Sequence, residues 1–240
     1  MLMGRTQHGA PMPDVSVVIP TMNEEASIGA VIDEVETALV GWPFEILVVD
    51  TDSRDRTRDL ATAKGARVVP EPRRGYGRAY KTGFAAATGT FVATLDADLT
   101  YPAHRFPDFL TALAEDRADF VSGERLSSLS DGAMTGMHRV GNEILNFVFR
   151  GLYDSGVRDS QSGMWSFRRS ILSRLRLVHD GMAFSEELKL EVIRAGLRFL
   201  EIPIEYRTRV GEKKIRSVSD ATGNLIWLGR KRVGWVPRSP

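Results

Sequence analysis

Two aspartates stand one residue apart, at Asp96 and Asp98, directly after the apolar run 91–95. Paired carboxylates at the end of a buried strand can share a divalent ion with a diphosphate, and oxygen ligands favour Mg²⁺ or Mn²⁺ over zinc. The bare Asp-x-Asp pattern is weak evidence, because such pairs are also common in turns. Whether this pair binds a metal therefore depends on which other polar residues the fold brings to the same place.

The elements that must position these aspartates follow from alternating apolar runs and helical patterns. Strands are predicted at 15–20, 45–50, 66–69, 91–96 and 119–123, and helices at 26–39, 55–63, 78–87 and 104–115. Alternation of this kind predicts an α/β fold, with a mostly parallel central sheet and helices on both faces. Ligands of such sheets bind beyond the carboxyl ends of the strands. Asn23-Glu24, 50–53 and the two aspartates are therefore expected to share one crevice.

Each of these polar residues also has a purely structural interpretation. Asp50 could accept hydrogen bonds from a base or ribose, or it could belong to an Asx turn. Glu24 could hold a base edge or begin the following helix. The loop 73–77 is rich in Gly and Arg, but it lacks the glycine spacing of a dinucleotide fingerprint, and no Walker motif is present. These absences argue against a Rossmann dehydrogenase and a P-loop enzyme.

Charge is unevenly distributed along the chain. The formal net charge is only +1, yet nine Lys or Arg residues stand between Arg207 and the C-terminus against Glu212 and Asp220. A basic C-terminal end on an acidic body suggests an anionic partner, either a phosphate or a lipid surface, although a solvated basic helix gives the same pattern. Nothing indicates a nucleic-acid partner. Cysteine is absent, which excludes disulfides and thiolate metal sites.

Several motifs together resemble the family-2 glycosyltransferases with the GT-A fold. They are Val-Ser-Val-Val-Ile-Pro-x-x-Asn-Glu-Glu (15–25), Val-Val-Asp-x-x-Ser-x-Asp-x-Thr (48–57), Arg-Gly-x-Gly-x-Ala (74–79) and Leu-Asp-Ala-Asp-Leu (95–99). Within that family, 122–125, 137–142, 159–165, 184–187 and 206–214 resemble archaeal-type dolichyl- or polyprenyl-phosphate hexose synthases, with glucose or mannose as the sugar. The resemblance covers about residues 14 to 235.

The resemblance implies a role for each matching residue. Donor binding is implied for Pro20, Asn23, Glu24, Asp50, Lys81 and Asp96, and Mg²⁺ or Mn²⁺ binding for Asp96 and Asp98. Acceptor-phosphate binding is expected of Arg125, Arg139, Arg207, Arg209 and Lys214, and sugar binding of Gln161, Ser162, Trp165, Glu186 and Glu187. Catalytic roles fall to Asp98, Arg125, Arg139 and Arg209. Some mannosyl members carry a Gln ligand where this chain has Thr100.

The expected reaction moves a hexose, with inversion, from a nucleotide sugar to a dolichyl or polyprenyl phosphate. A UDP-hexose or UDP-N-acetylhexosamine is favoured, with GDP-mannose in second place. A lipid phosphate is already anionic and needs no general base, but it needs fixed cations that bring two anions together. The alternatives are a transferase with a soluble or hydroxyl acceptor, such as phosphoglycerate, which needs a base, and a catalytically silent sugar-nucleotide-binding protein.

Some of the second-half residues remain open to two interpretations. Arg207 and Arg209 alternate along a predicted strand at 199–206 and beyond, so they would share a face that suits either a phosphate clamp or a protected sheet edge. Trp165 could stack on a sugar or pack in the core. Glu186 and Glu187 could include a base or sugar contact, or could favour a helix N-terminus.

The expected organisation is a tail at 1–13, without a signal peptide, and a single catalytic domain at 14–240. Its parts are a nucleotide-sugar half (14–123), an acceptor half (124–217) and a basic amphipathic helix (218–240). No apolar run reaches the length of a membrane span. Two apolar segments predict peripheral contact with the cytoplasmic face of the cell membrane: the stripe Val140, Ile144, Phe147, Val148, Leu152 and the segment 225–232. The alternative is that these faces pack on the sheet or on a second subunit of a homo-oligomer.

Overall fold

The computed structural model describes residues 14–127, 136–153, 155–211 and 217–232, without the side chains of 137–138, 217–222 and 225. The predicted tail at 1–13, and Lys214 of the acceptor set, lie outside these ranges. The domain division given above is not tested by the arrangement of elements and stays a prediction.

Seven strands form one sheet in the described part of the chain. They are β1 Val15–Thr21, β2 Phe44–Asp50, β3 Arg67–Pro70, β4 Phe91–Thr94, β5 Phe120–Glu124, β6 Trp165–Arg168 and β7 Phe199–Pro203. Their order is β3-β2-β1-β4-β6-β5-β7. Strand β6 runs antiparallel to β4 and β5, while the other neighbouring pairs are parallel. The predicted mostly parallel α/β sheet is confirmed.

Helices cover both faces of this sheet. They are α1 Ile28–Ala38, α2 Thr57–Ala63, α3 Tyr76–Ala86, α4 Phe106–Ala114, α5 Gly136–Tyr153, α6 Phe184–Arg194 and α7 Ser217–Arg232, with short 3-10 segments at Ala103–Arg105 and Arg169–Arg174. Alternate residues of a strand point to opposite faces. In β1, Val17 and Ile19 pack in the cluster of α1 and α4, and Val18 packs in the cluster of α3 and α6.

Helices α5 and α7 pack away from the sheet, against α6. Leu145 and Phe149 of α5 are buried with Trp227 and Leu228 of α7. The predicted apolar stripe of α5 is therefore divided between two faces. Val148 and Leu152 pack on this cluster, whereas a second row, Val140, Ile144 and Phe147, is exposed by 58%, 50% and 72%.

The predicted last strand ends earlier than expected. Strand β7 stops at Pro203, because the chain then leaves β5 and runs beside the segment that follows β4. The backbone N–H of Arg207 donates to Thr100 O at 3.0 Å, and that of Val210 donates to Asp98 O at 3.0 Å. The basic segment 204–211 is thereby placed next to the Asp-x-Asp pair.

Candidate active site

The polar ends of β1 and β2 meet, as predicted. Asn23 adopts a positive φ of 55°, and its backbone N–H donates to Ser53 Oγ at 2.8 Å. Its side-chain Oδ1 accepts from the Arg54 N–H at 2.8 Å. A cleft of about 360 Å³ opens here, lined by 22–26, Asp55 and Gly211. Asn23 and Glu24 of the predicted donor set therefore line a cleft beside the basic segment.

Asp50 lies almost fully buried at the end of β2. Its carboxylate accepts from the Ser53 N–H at 3.0 Å and from Thr21 Oγ1 at 3.1 Å. Arg58 Nε lies 3.6 Å from Asp50 Oδ1. These contacts match the Asx-turn interpretation, so Asp50 shapes the turn 50–53. Pro20 stands beside it in β1, in register with Val49.

Asp96 follows β4 and is approached by two phenols. Tyr76 OH and Tyr80 OH donate to its Oδ1 at 3.2 and 3.3 Å. Burial, and next the negative charge of Asp98, raise the pKa of Asp96 to about 7. Sequence reasoning missed both tyrosines, because the predicted helix 78–87 began after Tyr76. In the structure both belong to α3, where a spacing of four residues places them on one face.

Asp98 is more deeply buried than Asp96, and both of its carboxylate oxygens are bound. Oδ1 accepts from the N–H of Thr100 at 3.1 Å and from its Oγ1 at 2.6 Å. Oδ2 accepts from Arg209 Nε at 2.7 Å. Thr100, which occupies the position of an expected third ligand, therefore orients the carboxylate of Asp98.

The donor set of the Asp96–Asp98 pair fits a small divalent cation. Both groups supply hard oxygen atoms. Burial, and next the charge of Asp98, disfavour the ionised form of Asp96, and a bound cation would offset both effects. Within the described ranges no group of three or more acidic or histidine side chains could hold a metal. Mg²⁺ is commonly held by one or two carboxylates, with substrate phosphates and water completing the shell. A shell of this kind suits the pair.

Gly163 forms the wall opposite Asp96, just before β6. Its N–H donates to Tyr101 OH at 2.7 Å. A Cβ at this position would lie 2.3 Å from Tyr76 OH and 3.6 Å from Asp96 Oδ1. No side chain fits in that space, so the turn before β6 can approach the carboxylate only because residue 163 is glycine.

Arg125 is buried near the aspartate pair, and its guanidinium is bound to Asp159 through two hydrogen bonds. Its Nε and Nη2 donate to Asp159 Oδ2 and Oδ1 at 2.7 and 2.8 Å. Its guanidinium also lies 5.1 Å from the centre of the Tyr206 ring. Against the effect of burial, the Arg125 charge lowers the pKa of Asp159. The Arg125 guanidinium, which was predicted to bind the acceptor phosphate, is thus already bound to Asp159 and packed near Tyr206.

The other predicted acceptor residues are dispersed. Arg139 is exposed on α5, and its Nε lies 3.5 Å from Glu143. Arg207 turns towards α1, where its Nη1 donates to Glu34 Oε1 at 2.9 Å. The prediction that Arg207 and Arg209 share a strand face is therefore wrong, because β7 has ended and the two side chains contact different elements. Among the acceptor residues within the described ranges, Arg209 is the one that donates a hydrogen bond to the aspartate pair.

Lys81 does not point to the cleft in this arrangement. Its Nζ donates to Asp180 Oδ1 at 2.6 Å, and Arg78 pairs with the same carboxylate. Asp180 thus ties α3 to the segment that precedes α6. Lys81 contributes to that connection.

Trp165 is enclosed in the core, in agreement with the structural alternative. It is fully buried, with ring centres 5.0 Å from Tyr80 and 6.2 Å from Phe184. Its indole N–H donates to Ser162 O at 2.6 Å. The side chain therefore supports the turn before β6 and is not accessible for stacking on a sugar.

Glu186 and Glu187 are both buried in the first turn of α6. Glu187 accepts from the N–H groups of Val178 and His179 at 2.9 and 2.7 Å and from Lys231 at 3.0 Å. Glu187 therefore holds α7 against α6 through Lys231.

Glu186 has fewer partners. Its Oε2 accepts from Asn224 Nδ2 at 3.3 Å, and the same amide donates to Gln161 Oε1 at 3.2 Å. Its Oε1 has no hydrogen-bond partner among the described residues. Burial raises the pKa of Glu186 to about 7. A carboxylate with this pKa has the properties of a proton acceptor near neutral pH, but it is fully covered by protein.

Solved structures share this architecture. Mycobacterium tuberculosis glucosyl-3-phosphoglycerate synthase, in complex with Mn²⁺, UDP and glucosyl-3-phosphoglycerate, superposes with a TM-score of 0.74 and 24% identity, over 95% of this chain and 82% of that chain. The complex of the same enzyme with Mn²⁺, UDP-glucose and phosphoglyceric acid gives 0.75 and 25%, over 95% and 82%. The likeness shows the GT-A fold.

Two of the sequence relatives come from Haloferax volcanii. The low-salt glycan biosynthesis hexosyltransferase Agl6 is 36% identical over 232 residues, which are 95% of this chain and 56% of the relative, so the chain spans little more than half of that protein. A dolichyl-phosphate hexose transferase is 35% identical over 202 residues, 84% of this chain and 86% of the relative. The family model described as "Glycosyl transferase family 2" matches residues 16–176, which contain the cleft residues 22–26 and Asp55, the aspartate pair and Gly163. On its fold, its site and these matches, the chain belongs to glycosyl transferase family 2.

Proposed function

We propose that this protein transfers a hexose from a nucleoside-diphosphate sugar to a dolichyl or polyprenyl phosphate, with inversion and with Mg²⁺ or Mn²⁺. The observation that carries the proposal is the Asp96–Asp98 pair beyond β4, beside the cleft of Asn23 and Glu24 and in contact with Arg209. Carboxylates, a fixed guanidinium and a cleft at the same sheet edge suit a substrate that carries both a nucleoside and a diphosphate.

The donor is best matched by a UDP-sugar. The fold relatives are glucosyl-3-phosphoglycerate synthases whose solved complexes contain UDP with Mn²⁺ or Mg²⁺. The cleft at 22–26 lies next to the aspartates, as a nucleoside linked to a metal-bound diphosphate requires. A UDP-hexose or UDP-N-acetylhexosamine is therefore proposed ahead of GDP-mannose.

The chain's own residues would stabilise the leaving diphosphate. Bound to Asp96 and Asp98, the metal supplies Lewis-acid stabilisation of negative charge. Arg209 adds a guanidinium at the same carboxylate, and its five N–H donors allow one group to contact both Asp98 and a phosphate oxygen. Thr100 holds Asp98, and Tyr76 and Tyr80 hold Asp96, so the pair is oriented before substrate binds.

A phosphate acceptor agrees with the surroundings of the site better than a hydroxyl. A phosphate monoester is an anionic nucleophile and requires cations, and the charges of Arg209 and of the buried Arg125 both act on the aspartate pair. A hydroxyl acceptor requires a base within about 3 Å. The relative named dolichyl-phosphate hexose transferase, matched over most of its length, supports the lipid acceptor.

A hydroxyl acceptor is the second candidate function. The fold relatives include a complex with phosphoglyceric acid, and burial gives Glu186 a pKa of about 7. Because Glu186 is fully buried, a base role would require the surrounding chain to open.

Peripheral membrane contact is proposed for the outer faces of α5 and α7. Val140, Ile144 and Phe147 form an exposed row on α5, and Ile226 is 51% exposed on α7. Arg139 on α5 and Arg232 on α7 are exposed basic residues of the kind that bind anionic headgroups. None of the described helices has the length and apolar character to pass through a bilayer. The proposed location is the cytoplasmic face of the cell membrane, and pairing of two copies through the row is the competing arrangement.

A transfer assay tests the proposal. The protein is incubated with Mn²⁺ or Mg²⁺, polyprenyl monophosphate and a panel of UDP- and GDP-sugars, beside Asp98→Asn and the exposed control Asp33→Asn. A lipid-phosphate sugar formed from one donor, lost in Asp98→Asn and with a chelator but kept in Asp33→Asn, is the expected result. Turnover only with phosphoglycerate or another hydroxyl compound would replace the lipid acceptor by the second candidate.

A further inference from the structure

Lys189 is a buried cation that the proposed reaction does not use. It lies on α6 and is fully inaccessible to solvent. Burial lowers its pKa to about 8, against the opposing charge of Asp159. Removing an ammonium group from water costs several kcal/mol unless hydrogen bonds and a counter-charge replace the water. Such a residue is expected to have a specific task.

The ammonium group of Lys189 holds one turn of the chain. Its Nζ donates to the backbone carbonyls of Asp159 and of Ser162, the latter at 3.2 Å. The same turn is bound from α5, where Asn146 Oδ1 accepts from the Ser160 N–H at 2.8 Å. Two helices thus hold the turn 159–162 from different sides.

This turn leads directly into the wall of the active site. The next residue, Gly163, donates its N–H to Tyr101 OH at 2.7 Å and accepts from Thr94 Oγ1 at 2.9 Å. Its α-carbon leaves no room for a side chain beside Tyr76 OH, which donates to Asp96 Oδ1 at 3.2 Å. A shift of the turn by even a few tenths of an ångström would press on, or withdraw from, the phenol that orients Asp96.

We infer that Lys189 is a positioning residue for Asp96, which acts through the turn 159–163 and Tyr76 on the metal–diphosphate site. The inference rests on the proposed function, since it assumes that Asp96 binds a divalent ion. Lys189 itself touches neither metal nor substrate. Its role resembles that of the outer hydrogen-bond partners of metal ligands, whose loss typically costs 10–100-fold in metal affinity.

Lys189→Met is the first variant. It keeps a long, unbranched side chain and removes the donors and the charge. The Arg125–Asp159 pair is left balanced, so the fold is expected to survive. Mn²⁺ binding to the UDP-saturated protein, measured by calorimetry, is expected to weaken about 10-fold, while UDP binding without metal stays unchanged.

A purely structural role would give a different pattern. Thermal unfolding of Lys189→Met would then shift while its Mn²⁺ affinity matched that of the wild type, and this result would overturn the inference. The proposed relay also predicts non-additivity: in a Tyr76→Phe background, which has lost the hydrogen bond to Asp96, Lys189→Met should weaken Mn²⁺ binding much less than it does alone. If the two variants lose Mn²⁺ affinity additively, Lys189 does not act through Tyr76, and the inference is overturned.

Asn146→Ala keeps the test decisive if Lys189→Met does not fold. This variant releases the same turn from α5 without removing a buried charge, and it is expected to weaken Mn²⁺ binding in the same direction. Unchanged affinity in Asn146→Ala would overturn the inference. A wild-type protein that binds UDP but no Mn²⁺ would instead refute the metal part of the proposed function, so the two failures are distinguishable.

Discussion

Arg209 and Asp98 are 111 positions apart in the sequence, and Arg209 Nε lies 2.7 Å from Asp98 Oδ2. The contact exists because the segment after β7 runs beside 98–100, fixed by backbone hydrogen bonds at Arg207 and Val210. It brings a permanent cation to the carboxylate pair. Asp98 in turn holds the guanidinium in one orientation.

Arg209→Met should therefore lower kcat/KM strongly. Loss of a fixed donor that stabilises charge developing in the transition state typically costs about 10²–10³-fold. Arg209→Lys should recover only part, because an ammonium cannot contact Asp98 and a phosphate oxygen as a planar fork does. Steady-state kinetics with varied donor would measure this, with the exposed Arg117→Met as control. A loss confined to the KM for the lipid acceptor would assign Arg209 to the acceptor.

The buried Arg125–Asp159 pair should matter for stability. Arg125→Met leaves Asp159 buried without its partner, and breaking such a pair typically costs about 3–5 kcal/mol. The double variant Arg125→Met/Asp159→Leu removes both charges and should recover part of that loss; the rest remains because the buried Lys189 loses the opposing charge of Asp159. Urea unfolding provides the measurement. A single variant with unchanged unfolding free energy and abolished transfer would instead support the original prediction that Arg125 binds the acceptor phosphate.

Glu186 should make stability fall as pH rises. Its folded-state pKa is raised by burial to about 7, above the usual value of about 4.3. The neutral form therefore contributes stability that is fully present below about pH 4.3 and is lost as pH rises to about 7. Lys189, the buried cation on the same helix, opposes this shift without cancelling it.

Glu186→Gln should accordingly unfold at higher urea concentration than the wild type at pH 8, and at nearly the same concentration at pH 4. The exposed Glu115→Gln serves as the control at both values. A variant that is less stable than the wild type at pH 8 would mean that the ionised carboxylate is stabilised in the fold. Retained transfer activity in Glu186→Gln would argue further against a hydroxyl acceptor that needs this base.

The exposed row on α5 should determine membrane binding. Phe147→Ser removes a side chain that is 72% exposed, so little change in unfolding free energy is expected. Co-sedimentation with vesicles of anionic lipid should decrease. Val40→Ser, at an 81% exposed apolar residue after α1, should leave it unchanged. If Phe147→Ser alters the mass in solution and not the vesicle binding, the row is an interface between copies of this chain.

Local sequence patterns were sufficient to predict the strands whose ends form the site. The apolar run before Asp96 indicated a buried strand, and the rule for parallel sheets then brought Asn23, the turn after Asp50 and Asp98 to one edge. The contact between Asn23 and Ser53 confirms this for the ends of β1 and β2. Asp98 is connected to them through the segment 209–211, in which Arg209 contacts Asp98 and Gly211 lines the cleft. These inferences succeeded because each depends on a strand and the residue directly after it.

Predictions that depended on distant partners were less successful. Nothing near Arg125 indicates that Asp159 binds it across 34 positions, and nothing near Arg207 indicates Glu34 on α1. Strand alternation placed Arg207 and Arg209 on one face, but the strand ended at Pro203. In the second half of the chain, the role of a side chain is thus decided by tertiary contacts. Hydrophobic periodicity and residue spacing in the sequence do not predict those contacts.

The antiparallel strand β6 also bears on how the protein is made. It lies between β4 and β5, yet it follows β5 in the chain by about 40 residues. During synthesis at about 5–20 residues per second, β5 must wait several seconds for its partner. In that interval β5 has no partner on either side, because β7 is made later still, and one edge of β4 is unpaired. Such edges readily pair with other chains. The central position of a late strand makes the nascent chain, rather than the finished fold, the stage most open to aggregation.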